Sequence, residues 1–114
     1  VRVLAELGEH GKPYIPKLRQ MLAGGEELRI GGANALLVLD PSATPEVVRA
    51  MIRTLEDETA MNPQLAAIVL GKVGPSARDA LPSLRRLAAH ENAWRAKPAQ
   101  HAINQIEQKS LQNL

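Results

Sequence analysis

The sequence predicts an all-α protein built from stacked repeats of about 33 residues. Apolar residues recur at that spacing in several registers. Two of these registers are Ala33, Ala66 and Ala99, and Leu18, Met51 and Leu84. No stretch alternates apolar and polar residues in the way that a strand does. A unit of this length with two helical stripes cannot bury its apolar surface alone, so it must stack on copies of itself.

Composition agrees with one helical body. The chain has 114 residues, enough for one continuous core, and it has no Phe and only 2% aromatic residues. Its core must therefore be aliphatic, which suits closely packed helices. The absence of cysteine excludes disulfides and thiolate metal sites and leaves the compartment open. No apolar run approaches the roughly 18 residues of a membrane span, so we expect no membrane partner.

The register divides one domain, residues 1–114, into an incomplete repeat and further helix pairs. Residues 1–22 are predicted to be a partial repeat, residues 26–55 and 62–89 two full repeats, and residues 92–110 a terminal capping helix. Projected backwards, the alanine register places its first member before residue 1. We therefore expect the chain to begin inside a helix and to be the C-terminal part of a longer protein.

Proline and glycine mark where helices begin and end. Thr44 is predicted to be an N-cap, with Pro45 at the first helical position. Gly74–Pro75 predicts the end of a helix, because glycine is favoured just beyond a helix and proline cannot continue one. Gly31–Gly32 lies inside a helical pattern at a cost of about 1 kcal/mol per glycine relative to alanine. This cost favours close helix packing or a loosened helix start over the approach of a ligand.

The segment from Leu70 to Leu87 reads Leu-Gly-Lys-Val-Gly-Pro-Ser-Ala-Arg-Asp-Ala-Leu-Pro-Ser-Leu-Arg-Arg-Leu. It resembles the HEAT repeats, in particular the short HEAT-like (PBS-lyase-type) variant of bacterial proteins. Residues 4–22 repeat the pattern, and the resemblance covers nearly the whole chain. It implies a right-handed α-α superhelix of about three and a half helix pairs, with the first helices on the convex side. It also implies that Arg95 bonds to Glu56 or Asp57 in the turn of a neighbouring repeat.

Two surfaces of this superhelix are candidate binding sites. The second helices would line a concave groove with small and amide side chains that suit a protein surface. The groove residues are Asn34, Gln64, Lys97, Gln100 and Asn104. The first helices would carry a basic ridge. The ridge residues are Lys17, Arg49, Arg53, Arg85 and Arg86. Such a ridge could meet phosphates or an acidic protein. However, exposed arginine is also an ordinary helix former, and a net charge of +2 without interleaved aromatic residues favours that interpretation.

Trp94, the single tryptophan, shares a register with Leu28 and Met61. Large apolar side chains at helical positions are usually buried. We therefore predict that Trp94 closes the core beneath the last repeat. The alternative is an exposed anchor for a partner.

The search for catalytic or metal-binding residues finds none. No two histidines have the spacing that directs both at one metal ion. HEAT-like di-iron hydroxylases bind metal through His-Glu pairs on successive repeats, whereas His90–Glu91 is matched one repeat earlier by Asp57–Glu58. The acidic run Glu56–Glu58 is typical of a solvated turn. We expect no enzyme activity, no metal and no cofactor.

Three functions remain, and the first is favoured. It is a non-catalytic protein-interaction or domain-docking scaffold, whose partner is a protein or a neighbouring domain of the same polypeptide. The second is an accessory C-terminal segment of a bacterial sulfatase-type hydrolase. The resemblance implies it through the phrase Asn34–Leu36, although the Cys/Ser-x-Pro-x-Arg signature of those enzymes is absent. The third is a weak nucleic-acid-binding HEAT-like module, for which acidic and aromatic groups in the groove would be needed.

Overall fold

The computed structural model describes residues 12–112, with side chains described as far as residue 107. Within that range the chain consists of helices and short connections and has no strand, so the all-α prediction is confirmed. The predicted half-helix at the start of the chain lies in residues 1–11, outside the described residues.

The helices pack in pairs. The α-helices are α1 (Ile15–Met21), α2 (Glu26–Leu39), α3 (Thr44–Glu56), α4 (Pro63–Val73), α5 (Leu81–Ala88) and α6 (Ala93–Gln112). Two 3-10 segments, Pro41–Ala43 and Gly74–Ala80, lead into α3 and α5. Contacts join α1 to α2, α3 to α4 and α5 to α6, and α2 also packs against α3. The body measures 42 × 38 × 20 Å.

Further contacts align these pairs in two rows. Helix α2 contacts α4, and α4 contacts α6 most extensively, so α2, α4 and α6 form one row, called the even row below. Helix α3 contacts α5 in the other row. Helix α1 joins that second row, because Arg53 of α3 donates a hydrogen bond to the carbonyl oxygen of Leu22 at 3.4 Å.

The 33-residue registers point into one core. The buried members are Ala33, Ala66, Ala99, Leu18, Met51, Leu84, Val48 and Leu70, and Ile15, Leu37, Leu81 and Ile103 pack against them. Alanine allows the helices to approach closely, while Met and Leu fill the space between the rows. The register prediction is therefore confirmed over the described residues.

The predicted N-cap at Thr44 is wrong. Because the Pro41–Ala43 turn leads directly into α3, Thr44 already has helical angles, φ −51° and ψ −45°, and the N-cap position belongs to Ala43. The hydroxyl of Thr44 donates instead to the carbonyl oxygen of Pro41 at 2.6 Å. The predicted helix end at Gly74 is confirmed, since α4 stops at Val73 and Gly74 has a φ of 79°.

Close packing explains Gly32. A Cβ atom there would lie 2.9 Å from the carbonyl oxygen of Leu18 and 2.9 Å from Met21 Cβ, both in α1. At Gly31 the nearest atom would be Met21 Cε at 3.8 Å. The packing interpretation is therefore confirmed for Gly32, whereas Gly31 lies beside an open groove.

Candidate protein-interaction surface

An exposed band of large apolar side chains crosses the even row. Its members, which we call the apolar strip, are Leu28 (52% exposed), Met61 (74%), Leu65 (41%), Ile68 (42%) and Trp94 (77%). Four of them lie at or near the N-terminal ends of α2, α4 and α6, and Ile68 lies midway along α4. Large contiguous exposed apolar patches on a folded protein usually mark a binding surface.

Trp94 was predicted to be buried, and this prediction is wrong. The buried face of α6 is formed by Ala96, Ala99, Ala102 and Ile106. Trp94 precedes Ala96 by two residues, which places it roughly 200° around the helix from that side chain. The alanine face packs against α4, so the indole points away from the core and the alternative of an exposed side chain holds.

Hydrogen bonds hold the N-terminal ends of the even row side by side. The carboxylate of Glu26 in α2 accepts bonds from the backbone amides of Met61 (2.8 Å) and Asn62 (2.7 Å), which precede α4. Arg95 in α6 donates to the carbonyl oxygen of Met61 at 3.2 Å. These bonds connect segments 34 to 36 residues apart and align the three helix starts that carry the strip.

The partner predicted for Arg95 is therefore wrong, because its described partner is a carbonyl rather than Glu56 or Asp57. Both carboxylates have other partners. Glu56 lies 3.6 Å from Arg86 in an ion pair. Asp57 accepts bonds within its own turn from the hydroxyl (2.6 Å) and amide (2.9 Å) of Thr59. Two of the three acidic residues of the run, Glu56 and Asp57, thus have structural partners.

Two adjoining grooves follow the strip. The groove between α4 and α6 has a volume of about 700 Å³ and is bordered by Leu65, Ile68, Trp94 and Pro98. The groove between α2 and α4 has a volume of about 610 Å³, and Ile30, Gly31 and Met61 contribute to it. Leu65 and Asn62 line both grooves. The strip is therefore continuous from the α2–α4 groove across α4 to Trp94, whereas Leu28 borders neither groove.

The structure brings together two of the five predicted groove residues. Gln64 and Lys97 line the α4–α6 groove. Asn34 lies farther along α2, where its amide donates to the Ile30 carbonyl oxygen and accepts from Lys72. Gln100 and Asn104 are exposed on α6 and border neither groove of the strip.

Gln64 is the buried polar side chain of the α4–α6 groove. It is 9% exposed, and its Nε2 donates to Asn62 Oδ1 at 3.2 Å. Its Oε1 is buried and has no hydrogen-bond partner within the described part of the chain. An unpaired buried acceptor of this kind costs about 1–3 kcal/mol.

One charged side chain lies on each flank of the strip. Glu27 borders the α2–α4 groove and Lys97 borders the α4–α6 groove. Both are exposed, and neither forms a hydrogen bond or ion pair with another residue of the described ranges. The strip therefore has an acidic flank on α2 and a basic flank on α6.

The predicted basic ridge is interrupted by acidic side chains. Arg85 pairs with Glu107 at 3.1 Å, and Arg86 pairs with Glu56 as described above. Arg53 is bonded to the Leu22 carbonyl oxygen. Such exposed pairs contribute little stability, but each partly compensates the positive charge that a phosphate would meet.

The other two ridge residues, Arg49 and Lys17, are exposed. Arg49 borders a cavity of about 470 Å³ between α1 and α3. There Arg19 pairs with Glu46 at 3.3 Å, which places an acidic group in the same cavity. Arg53 lines the cavity as well, so three arginines face a single carboxylate and the lining keeps a positive charge.

Residues 12–107, whose side chains are described, contain no group of three or more His, Asp or Glu that could bind a metal ion. None of the described helices is both long enough and apolar enough to cross a bilayer. No family model, curated protein or solved structure matches this chain. The function inferred below rests on the apolar strip with its two flanking charges.

Proposed function

We propose that the chain is a non-catalytic protein-interaction module of HEAT-like helical repeats, which binds its partner through the apolar strip. The observation that carries this proposal is the position of Trp94. Its indole is 77% exposed on the border of a groove that Leu65 and Ile68 also line. Aromatic side chains of this kind, beside a pocket, commonly dominate the binding energy of protein interfaces.

The free energy that would be gained by covering Trp94 supports this role. Full burial of a large aromatic side chain removes about 150–250 Å² from water. At about 25 cal/mol per Å², covering the exposed three-quarters of the indole would contribute roughly 3–5 kcal/mol before the costs of association. A contribution of that size is typical of an interface hot spot.

The repeat architecture supports the same proposal. Equivalent residues of successive repeats occupy equivalent positions, as the buried alanines and the exposed Leu28, Met61 and Trp94 both illustrate. A HEAT-like superhelix presents such equivalent side chains as an extended surface. The partner would be a protein or a neighbouring domain with a complementary apolar face.

Peptide selection tests the proposal directly. A displayed random-peptide library is selected against the protein, and binding of the selected peptides is measured by calorimetry. Because the chain has one tryptophan, its fluorescence reports whether the strip is covered. We expect a blue shift on binding and at least about a tenfold loss of affinity in Trp94→Ala.

Tyr14→Ala is the matched control, because Tyr14 is an exposed aromatic residue (52%) outside the strip. Its affinity for the selected peptides should equal that of the parent. Peptides that bind Trp94→Ala as tightly as the parent would place the binding surface elsewhere and refute the proposal.

Nucleic-acid binding through the basic ridge is the competing function, and the ion pairs of Arg85 and Arg86 oppose it. We expect DNA to bind at about 150 mM salt no more tightly than the non-specific range of roughly 10⁻⁴ M. A micromolar complex that is lost when Arg53, Arg85 and Arg86 are all replaced by Ala would make nucleic acid the favoured partner.

A further inference from the structure

We propose that the occupant of the apolar strip is the same strip of a second copy of this chain, in a two-fold symmetric dimer. This inference rests on the proposed function, since it identifies the partner of that surface. It follows from three features of the even row: the order of the helices, a protruding side chain opposite a groove, and the two flanking charges.

The order of the helices makes the strip able to pair with itself. Helix α4 lies in the centre, with α2 on one flank and α6 on the other. The bonds of Glu26 and Arg95 hold the starts of all three helices at one level. A two-fold axis that lies in the plane of the interface, runs across the strip and passes near the start of α4 brings the two strips face to face and places α6 of each copy over α2 of the other.

The same axis brings a protruding side chain to a groove. Trp94 is the most exposed residue of the strip and lies on the α6 flank. The α2–α4 groove, of about 610 Å³, lies on the opposite flank, where Gly31 contributes no side chain and Ile30 and Leu65 provide apolar walls. Each Trp94 would enter the groove of the partner copy, so both indoles would be buried in one interface.

The flanking charges match under this symmetry. Glu27 on the α2 flank and Lys97 on the α6 flank have no partner among the described residues. The two-fold axis sets Lys97 of each copy opposite Glu27 of the other and forms two attractive pairs. A parallel arrangement, with α2 over α2 and α6 over α6, would oppose like charges instead.

The test is the association state of the whole chain, measured by analytical ultracentrifugation over about 1–100 µM, a range that brackets micromolar affinity. We expect a monomer–dimer equilibrium accompanied by a blue shift of Trp94 emission as the concentration rises. Lys97→Glu alone and Glu27→Lys alone should each weaken the dimer by at least about tenfold. The double variant E27K/K97E should restore it, because the opposite charges again face each other.

Controls separate this effect from a general change in charge or folding. Lys17→Glu makes the same Lys-to-Glu charge reversal in α1, outside the strip, and should leave the dimer affinity unchanged. Trp94→Ala should remain monomeric while keeping the helical circular dichroism of the parent. A parent that is monomeric throughout the range, or a double variant that dimerises no better than the single ones, would overturn the proposal.

The outcome also distinguishes this inference from the proposed function. If the parent is monomeric but selected peptides still bind at Trp94, the strip serves a different protein and only the dimer is refuted. If neither dimer nor peptide depends on Trp94, both proposals fail.

Discussion

Replacing Gly32 with alanine should destabilise the protein, whereas the same replacement at Gly31 should stabilise it. Both residues lie inside α2, where alanine is favoured over glycine by about 1 kcal/mol. The new methyl group at Gly31 would be 3.8 Å from its nearest neighbour, an ordinary contact, so the helix gains most of that difference. At Gly32 it would lie 2.9 Å from the carbonyl oxygen of Leu18. That oxygen belongs to the backbone and cannot rotate away, so α1 must move.

Overpacking of this kind costs about 1–3 kcal/mol. The free energies of unfolding of the two variants should therefore differ by about the same amount. At about 4 °C per kcal/mol for a domain of this size, their melting temperatures should differ by about 4–12 °C. Urea and thermal unfolding followed by far-ultraviolet circular dichroism would measure the difference. Both variants should be studied at the lowest working concentration, so that association does not contribute. Equal stability of the two would show that α1 does not approach α2 as closely as the structure describes.

Three further variants test other parts of the fold. Leu70→Asp should lower the free energy of unfolding by about 3–5 kcal/mol, because it places a carboxylate at a fully buried position, and parent-like urea unfolding would contradict the register. Glu26→Ala should cost about 1–2 kcal/mol by removing the acceptor of two amides between repeats, and unchanged melting would show that these bonds contribute nothing. The hydroxyl and then the amide of Thr59 lower the pKa of Asp57. The stability that the Asp57 carboxylate gives the folded protein is therefore complete above the ordinary carboxyl pKa. It is lost as the pH falls through the lowered pKa of Asp57. Between neutral and acidic pH, the free energy of unfolding measured in urea should accordingly fall less in Asp57→Asn than in the parent. An equal fall in both proteins would show that the Asp57 carboxylate does not contribute to stability in this way.

Part of the candidate surface could be read from the register. Gln64 and Lys97 are one repeat apart, and both border the α4–α6 groove. The register did not identify Leu65 and Ile68, because their spacing also fits the buried face of a helix. Their exposure follows from Ala66, Ala67 and Leu70, which occupy the buried side of α4. A helix of 11 residues with so many apolar positions has more apolar surface than its neighbours cover.

Trp94 illustrates what a repeat pattern in the sequence cannot predict. A repeat establishes that Leu28, Met61 and Trp94 have equivalent environments, and all three are indeed exposed. It does not establish whether that environment is the core or the solvent, since the period is the same for both. Only the packing of α6 against α4 through Ala99 and Ala102 decides which side of the helix is buried.

The sequence by itself therefore determined the all-α class, the 33-residue period and the aliphatic core, because helix periodicity and repeat spacing are properties of the chain. The tertiary structure alone decided that Arg85 and Arg86 of the ridge meet acidic partners, that Arg95 bonds to a carbonyl oxygen, and that the indole is exposed. Each of these depends on the rotation and distance between helices. Those quantities arise from the fit of many side chains at once.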